Sequence, residues 1–303
     1  MSSVSPVVPR AVRASGARAR SYLALTKPRI IELLLVTTVP TMFVAARGVP
    51  PIGLILATLV GGALAAGGAN ALNMVLDRDI DRLMHRTRYR PLVTGEVTPR
   101  AAVLFAVVLE VVAFTELWLA VNALSAVLAV SATAFYVVVY TWWLKRSSTQ
   151  NIVIGGAAGA VPVLVGWAAV TDKLAWPPVV LFAVIFIWTP PHFWALAIRY
   201  RDDYRAAHVP MLPAVTTFRR TADQILLYSV ALVVASVAFA LVGHMGALYL
   251  VSALVLGGLF VACALRLRRM ETQQAAMAMF RYSITYLTLL FVAMAADVLV
   301  RFH

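Results

Sequence analysis

Acidic residues and cysteine are both scarce in this chain of 303 residues. It contains 13 Asp and Glu against 26 Lys and Arg, and only 13% of its residues are charged. Soluble globular domains carry charged side chains at about a quarter of their positions, so the composition argues against a soluble protein. The single cysteine, Cys263, excludes an internal disulfide, a CxxC redox pair and an iron–sulfur cluster.

Long apolar runs take the place of charge, and hydrophobic residues make up 62% of the sequence. Runs of about 20 such residues recur, each long enough to cross the ~30 Å hydrocarbon core of a bilayer. We therefore predict an all-α fold, a polytopic membrane bundle of about nine transmembrane helices. The predicted spans are 29–47, 51–74, 101–121, 122–142, 151–171, 177–198, 224–243, 246–265 and 283–301.

The net charge of +13 is explained by the topology of these spans. All but three of the 26 basic residues fall on the side of the N-terminus, the exceptions being Arg47, Lys173 and Arg301. The positive-inside rule then predicts a cytoplasmic N-terminus and an external C-terminus. The lipid bilayer is accordingly the expected environment, and no nucleic-acid partner is predicted.

Residues 1–25 carry several arginines and no acid, and we interpret them as a mobile basic cytoplasmic arm before a single transmembrane domain over 26–303. A signal peptide is disfavoured because the next apolar run, 30–46, is longer than a usual signal core and contains Pro40. A mitochondrial transit segment is an alternative, since such segments are also Arg-rich and acid-poor. The Arg-heavy, Lys-poor composition favours the plasma membrane of a bacterium over the mitochondrial inner membrane.

Three acids fall within five positions where the second span ends, in the stretch NMVLDRDIDRLMHRTRYRPL over 73–92. If the helix continues, Asn73, Asp77 and Asp81 share one face, because residues four apart differ by only about 40° around a helix. Asp79 then points away. Two carboxylates so placed repel each other unless a cation lies between them, and hard oxygen ligands of this kind suit Mg²⁺.

The alternative is that these acids pair with nearby arginines at a helix end, a common and weak interaction. Two observations favour a functional site. Asn70 and Asn73 lie inside an apolar helix, where polar side chains are costly and usually functional. Arg86 and Arg90 follow the acids, and guanidinium groups beside a metal are suited to binding a diphosphate.

A second acidic stretch, WTPPHFWALAIRYRDDYRAAHVPMLP, covers 188–213. Pro190 and Pro191 are predicted to interrupt the sixth span beside a cavity. Asp202 and Asp203 would hold a second Mg²⁺ and complete a clamp on the diphosphate. The alternative is that these two acids only pair with the surrounding arginines.

His192 shares a helix face with Asp203 if the sixth span runs on. It would bind a haem, carry a proton, or only hydrogen-bond a neighbouring carbonyl. Further basic side chains lie at the cytoplasmic ends of the spans, where they would bind a substrate or only anchor the helices at the interface. They are Lys27, Arg29, Lys145, Arg146 and Arg199.

These motifs resemble those of the UbiA superfamily of intramembrane prenyltransferases. NMVLDRDID matches its N-x-x-x-D-x-x-x-D signature, and the WTPPHFWALA…DDY…PMLP block is similar to its haem-farnesylating branch, with a likeness over about residues 25–301. The resemblance implies a nine-helix bundle with both motifs facing a central cavity. It also implies Mg²⁺-dependent transfer of farnesyl from farnesyl diphosphate to a vinyl group of haem b, and a haem A synthase as a downstream partner.

In this interpretation the catalytic and metal-binding residues are Asn73, Asp77, Asp81, Asp202 and Asp203. Many superfamily members carry D-x-x-x-D at the second site, whereas here Tyr200 and Tyr204 stand where acids would be expected. Two alternatives stay open. In the first, the chain is a prenyltransferase whose acceptor is a quinone precursor instead of haem. In the second, it is a membrane haem or ion carrier, although a carrier more typically places its charges near the bilayer midplane.

Aromatic side chains would stabilise an allylic cation through their faces. The candidates are Trp142, Trp143, Phe193 and Trp194, although aromatic belts at the membrane interface explain such residues equally well. The glycines of GGAAGAVP, which are Gly155, Gly156 and Gly159, are predicted to allow close helix packing rather than to bind phosphate.

Overall fold

The computed structural model describes residues 10–302, and the side chains of residues 10–17, 29–30, 32–35 and 302 lie outside that description. Its described part is helical, without a strand. The helices in chain order are α1 Arg10–Thr26, α2 Pro28–Ala46, α3 Ile52–Leu76, α4 Arg78–Leu83, α5 Pro91–Thr94, α6 Pro99–Ala120, α7 Ala123–Ala134, a π-helix Phe135–Leu144, α8 Lys145–Ser147, α9 Asn151–Thr171, α10 Trp176–Arg199, α11 Arg201–Ala206, α12 Leu212–Val215, α13 Phe218–Val242, α14 Ala247–Met270 and α15 Gln273–Phe302.

Eight helices within residues 10–302 are long and apolar enough to cross a membrane, with α7, the π-helix and α8 forming one of them. The 19-residue α2 occupies the first predicted span, and its segment Val36–Ala46 is a shorter apolar helix. The prediction of an all-α membrane bundle is confirmed. The protein is an integral membrane protein.

Polar caps begin several of these helices where the sequence supplies them. The Thr98 hydroxyl accepts the backbone N–H of Ala101 at the start of α6, and Asn122 accepts that of Ser125 at the start of α7. A side-chain cap of this kind typically contributes about 1 kcal/mol. The caps therefore fix where the spans begin and which residues the connecting loops present.

The long helices form a closed ring. Each of α2, α3, α6, α7, α9, α10, α13, α14 and α15 packs against the next, and α15 returns to α2. Packing of α2 against α9 and of α10 against α15 crosses the ring. Helices α3 and α10 thus hold similar places in the two halves, and each delivers one acidic motif to the same end of the bundle.

The two halves also repeat the same local order of elements. A six-residue helix and a four-residue helix follow α3, and helices of the same lengths follow α10. Asp77 caps the C-terminus of α3 and Tyr200 caps that of α10. Asp77 and Tyr200 therefore occupy equivalent positions, as do Asp81 and Tyr204 four residues further on.

Two sequence expectations are corrected by the fold. Pro190 and Pro191 do not interrupt the sixth span, because α10 runs through both of them. Nor do residues 18–25 form a mobile arm. Leu25 is fully buried and the Tyr22 ring packs against Phe105 of α6, so this part of α1 belongs to the bundle.

Candidate active site

The first acidic motif presents one buried face across a helix break. Asn73, Asp77 and Asp81 are each at most 3% exposed. The backbone N–H of Asp77 donates to the carbonyl of Asn73 at 2.9 Å, and that of Asp81 donates to Asp77 at 2.8 Å. Each of these hydrogen bonds joins residues four apart, so the helical hydrogen-bond pattern continues from α3 into α4. The three side chains therefore share a face, as the sequence spacing predicts.

Asp79 lies on the opposite side, and its side chain is 66% exposed. Both of its oxygens accept hydrogen bonds from the Arg146 guanidinium at 2.7 Å. These hydrogen bonds lower the pKa of Asp79 to about 2. Arg146 was predicted to bind substrate, but the structure places it with Asp79 rather than with Asp77 and Asp81.

Cationic side chains surround the two buried carboxylates. One nitrogen of the Arg90 guanidinium, Nη1, donates to both oxygens of Asp81, at 2.8 and 2.6 Å. The Lys145 ammonium donates to Oδ2 of Asp77, which also accepts from the Asn73 amide at 2.8 Å. The other oxygen of Asp77, Oδ1, is buried without a hydrogen-bond partner among the side chains that the structure describes. A buried unpaired carboxylate oxygen is costly, and it marks the place where a cation would be held.

Lys27 joins this cluster from the turn before α2. Its ammonium donates to the carbonyl oxygen of the Asn73 side chain at 2.6 Å. Burial, and after it the nearby Arg90, lower the pKa of Lys27 from its usual 10.5 to about 7. Lys27 also adopts a left-handed backbone conformation, with φ of 52°, which ends α1 and begins α2 at the mouth of the site.

The π-helix aligns four more side chains with the motif. Thr141 accepts from the Asn73 amide at 3.0 Å and donates to the carbonyl of Tyr136. The Tyr136 and Tyr140 rings stack with centroids 5.4 Å apart. A π-helix has wider turns than an α-helix, so Tyr136, Tyr140, Thr141 and Lys145 fall on one side. In an α-helix, Tyr136 and Lys145 would point in nearly opposite directions.

Close packing of α9 holds this tyrosine pair. A Cβ atom on Gly155 would lie 2.2 Å from Cδ2 of Tyr140, and one on Gly156 would lie 3.0 Å from Thr189 of α10. These two glycines have the predicted packing role. Gly159 shows no such role, because no atom of the described residues lies within 4 Å of the position of its Cβ.

The second acidic motif is arranged differently from the first. The Asp202 side chain is 85% exposed and pairs with Arg201 and Arg205. Asp203 turns toward the first motif, where its Oδ2 accepts the backbone N–H of Arg86 at 3.3 Å. Tyr204 is buried beside the Arg86 guanidinium. Burial raises the pKa of the Tyr204 phenol, and the charge of the nearby Arg86 guanidinium opposes that rise.

His192 lies in a buried aromatic environment between α10 and α15. Its ring stacks on Trp188 with centroids 4.3 Å apart and packs on Phe280 at 4.7 Å. The Ser283 hydroxyl lies 2.6 Å from the carbonyl of Phe280, to which it donates, and 2.7 Å from Nδ1 of His192. Because the only hydroxyl proton of Ser283 goes to the Phe280 carbonyl, the bond between Ser283 and His192 is donated by the Nδ1–H of the imidazole. In this neutral tautomer Nε2 carries no proton and keeps a free lone pair.

Several other predicted residues lie away from the buried cluster or outside the described side chains. Arg199 is exposed, with its guanidinium 5.7 Å from the Tyr200 ring. The side chain of Arg29 lies outside the described residues. Trp142 and Trp143 are 68% and 60% exposed on the outside of the π-helix, which fits an interfacial belt. Sequence reasoning missed Tyr136 and Thr141, whose spacing to Lys145 is informative only once a π-helix is assumed.

The donor set of the first motif fits Mg²⁺. Asp77 offers an unpartnered oxygen, Asp81 a carboxylate, and Asn73 an amide oxygen, all hard ligands of the kind that this ion prefers. Across the part of the chain that the structure describes, no three His, Cys, Asp or Glu side chains converge on one point. Mg²⁺ here would therefore complete its shell with water and with oxygens of a substrate.

Comparison with known proteins identifies the family of this chain. The model of the UbiA prenyltransferase family matches residues 34–292. Protoheme IX farnesyltransferase from Renibacterium salmoninarum is 54% identical over 93% of this chain and 90% of its own length. The protein of the same name from a Parafrankia species is 55% identical over 97% of this chain and 95% of its own length.

Solved structures share the fold at low sequence identity. A study of digeranylgeranylglyceryl phosphate synthase provides a chain with a TM-score of 0.76 and 17% identity, covering 93% of this chain and 99% of that one. A UbiA homolog from Archaeoglobus fulgidus bound to GPP and Mg²⁺ gives a TM-score of 0.63 at 16% identity, covering 90% and 99% of the two chains. The chain therefore belongs to the UbiA prenyltransferase family and is a membrane-embedded prenyltransferase.

Proposed function

We propose that this enzyme transfers a farnesyl group from farnesyl diphosphate to a vinyl group of haem b and so makes haem O. The observation that carries the proposal is the buried Asp77, which has one oxygen without a partner among the described residues and lies in a motif bonded by Lys27, Arg90 and Lys145. That arrangement fits a metal-bound diphosphate. The acceptor is supported by the relatives named protoheme IX farnesyltransferase at 54–55% identity.

The reaction breaks the bond between the allylic carbon and the diphosphate oxygen, and the electron pair leaves with the diphosphate. The vinyl group supplies the pair for the new carbon–carbon bond. Water then adds to the vinyl carbon left electron-poor and loses a proton, which gives a hydroxyethylfarnesyl side chain. Haem b is thus a substrate rather than a resident cofactor.

The chain's own residues have separable parts in this reaction. Lys27, Lys145 and Arg90 would neutralise the leaving diphosphate, and the contact of each with a side chain of the first motif supports this role. A bound Mg²⁺ supplies further charge neutralisation of the same leaving group, and the fold neighbour that holds GPP and Mg²⁺ supports this requirement. Fixed charges of this kind act without reorganisation in a site shielded from water.

Aromatic side chains near the motif are suited to the cationic farnesyl fragment. Tyr136 and Tyr140 stack as a pair on the side of the π-helix that carries Thr141 and Lys145. Their faces would stabilise a desolvated cation by about 2 kcal/mol each. They replace Trp142 and Trp143 as candidates, because those indoles are exposed.

The decisive experiment measures products. Purified protein in lipid nanodiscs is incubated with farnesyl diphosphate and haem b after thorough chelation, with and without added Mg²⁺. We expect diphosphate release and the mass of haem O only when both haem b and Mg²⁺ are present. A prenylated quinone precursor formed in place of haem O would favour the other acceptor, and absence of diphosphate release with every acceptor would favour a carrier.

We also propose the plasma membrane of a bacterium as the location, with the N-terminus in the cytoplasm and residues 26–303 as one transmembrane domain. The bacterial origin of the relatives supports the location. The asymmetry of basic residues supports the cytoplasmic N-terminus. A haem A synthase, which would consume haem O, is the expected downstream partner.

A further inference from the structure

We propose that the second acidic motif seats the Arg86 guanidinium where a second metal ion would otherwise lie, so that the reactive complex contains one divalent cation. The inference rests on the proposed function, because it concerns how that diphosphate is bound. It departs from the sequence prediction that Asp202 and Asp203 hold a second Mg²⁺.

The internal repeat shows which residues of the second motif face inward. Tyr200 and Tyr204 hold the positions that Asp77 and Asp81 hold in the first half. Asp202 is equivalent to Asp79, and both of these acids are exposed and paired with arginines. The inward positions of the second motif are therefore neutral phenols, which are poor ligands for Mg²⁺ compared with carboxylates.

Arg86 is held by three residues of that motif. Its guanidinium carbon lies 5.2 Å from the centre of the Tyr200 ring. The buried Tyr204 phenol lies close enough to this side chain for the Arg86 charge to lower its pKa, and Asp203 accepts the backbone N–H of Arg86 at 3.3 Å. The carboxylate of the motif that turns toward the site thus binds the Arg86 backbone.

The guanidinium itself has no ion-pair partner. Arg90 and Lys145 each pair with a carboxylate within 4 Å, whereas no such pair involves Arg86 in the described part of the chain. Arginine forms two parallel hydrogen bonds with phosphate oxygens when its fork is free. Arg86 is therefore the cationic group near the site that is most available to a diphosphate.

Formal charges agree with a single metal ion. The inward groups of the two motifs are four cations, Lys27, Arg86, Arg90 and Lys145, and three carboxylates, Asp77, Asp81 and Asp203. A phosphate monoester carries up to two negative charges, and a prenyl diphosphate accordingly carries roughly three. These side chains sum to one positive charge, and one divalent cation raises the total to roughly three, which matches the diphosphate. A second divalent cation would leave an excess of positive charge.

The first test counts metal ions. Wild-type protein in nanodiscs, without haem, is saturated with farnesyl diphosphate and titrated with Mn²⁺, and bound ions are counted by electron paramagnetic resonance. We expect one Mn²⁺ per chain, with Asp77→Asn lowering its affinity at least tenfold and Asp203→Asn leaving the count at one. Two ions in the wild type, one of them lost in Asp203→Asn, would overturn the proposal.

The second test measures how much the Arg86 guanidinium contributes to the binding of farnesyl diphosphate. Arg86→Gln should weaken binding of farnesyl diphosphate roughly tenfold or more, as expected for loss of a charge-assisted bidentate contact. Arg88→Gln is the matched control, because Arg88 lies in the same loop and its guanidinium bonds only the neighbouring Tyr89. Equal affinities for the two variants would remove Arg86 from the site.

The two proposals fail in different ways. Both tests omit haem, so a wrong acceptor would abolish haem O formation without changing the metal count or the Arg86 effect. Conversely, two bound Mn²⁺ ions would leave haem O formation intact. The wild-type count also does not depend on whether any variant folds.

Discussion

At the scale of single residues, Asp77 and Asp79 show how two neighbouring acids acquire different chemistry. The helical ladder from α3 into α4 turns Asp77 inward, where it is fully buried. Asp79 points outward and pairs with Arg146 in contact with solvent. The same residue type therefore provides the proposed metal ligand in one case and a weak surface ion pair in the other.

Asp77→Asn should lower turnover by at least about 100-fold, the scale expected when charge stabilisation is lost from a preorganised site. Asp79→Asn is the matched control and should stay within about twofold of wild type. Diphosphate release is measured on protein that elutes as a single species after membrane extraction. Wild-type haem O yield from Asp77→Asn would contradict the metal role of this residue.

His192 gives a second prediction at this scale. The Ser283 hydroxyl fixes its tautomer and leaves Nε2 free, so the imidazole is suited to contact a haem. His192→Ala should reduce the haem retained after purification and shift its Soret band, and Ser283→Ala should do so to a smaller extent. Ser252→Ala, which removes a hydroxyl bonded only within α14, should change neither. Unchanged spectra for His192→Ala would make the residue structural.

At the scale of secondary-structure elements, the π-helix and α9 form one unit. The π-helix brings Tyr140 toward α9, and only glycine leaves room for that ring at position 155. The wide turns also bring Lys145 to Asp77. The geometry of the cationic cluster thus depends on a contact between two helices that lies outside the acidic motifs.

Gly155→Ala should therefore impair the enzyme, because its Cβ would lie 2.2 Å from Tyr140. Overpacking of this kind usually costs about 1–3 kcal/mol, and the displaced ring should also reduce turnover. Gly159→Ala on the same helix has open space and should leave both properties unchanged. Thermal unfolding in detergent and diphosphate release test the pair, and equal behaviour of the two variants would contradict this account.

The spans and the first motif were predictable because hydrophobic run length and helical spacing act locally. Asn73, Asp77 and Asp81 needed only a regular helix to share a face. The π-helix was not predictable, since its turns are stabilised by tertiary contacts such as the bond from Asn73 to Thr141. The continuity of α10 through Pro190 was missed for a related reason, because tolerance of proline in a membrane helix depends on the neighbouring helices rather than on local sequence.

At the scale of the whole molecule, the proposed orientation can be tested with the lone cysteine. Cys263→Ser gives a background without cysteine, into which Gln150→Cys or Lys173→Cys is introduced at either end of α9. A membrane-impermeant maleimide should label the Lys173→Cys variant in intact cells and the Gln150→Cys variant only after permeabilisation. The reverse pattern would place the N-terminus outside.

The charged cluster is assembled at the ends of α3, the π-helix and α10, and at the start of α2, all on one side of the bundle. In the proposed reaction, inorganic pyrophosphate released there would diffuse into water, whereas the alkylated porphyrin would stay among the acyl chains. The two products would then separate into different phases. Reversal of the transfer would require them to meet again at this rim.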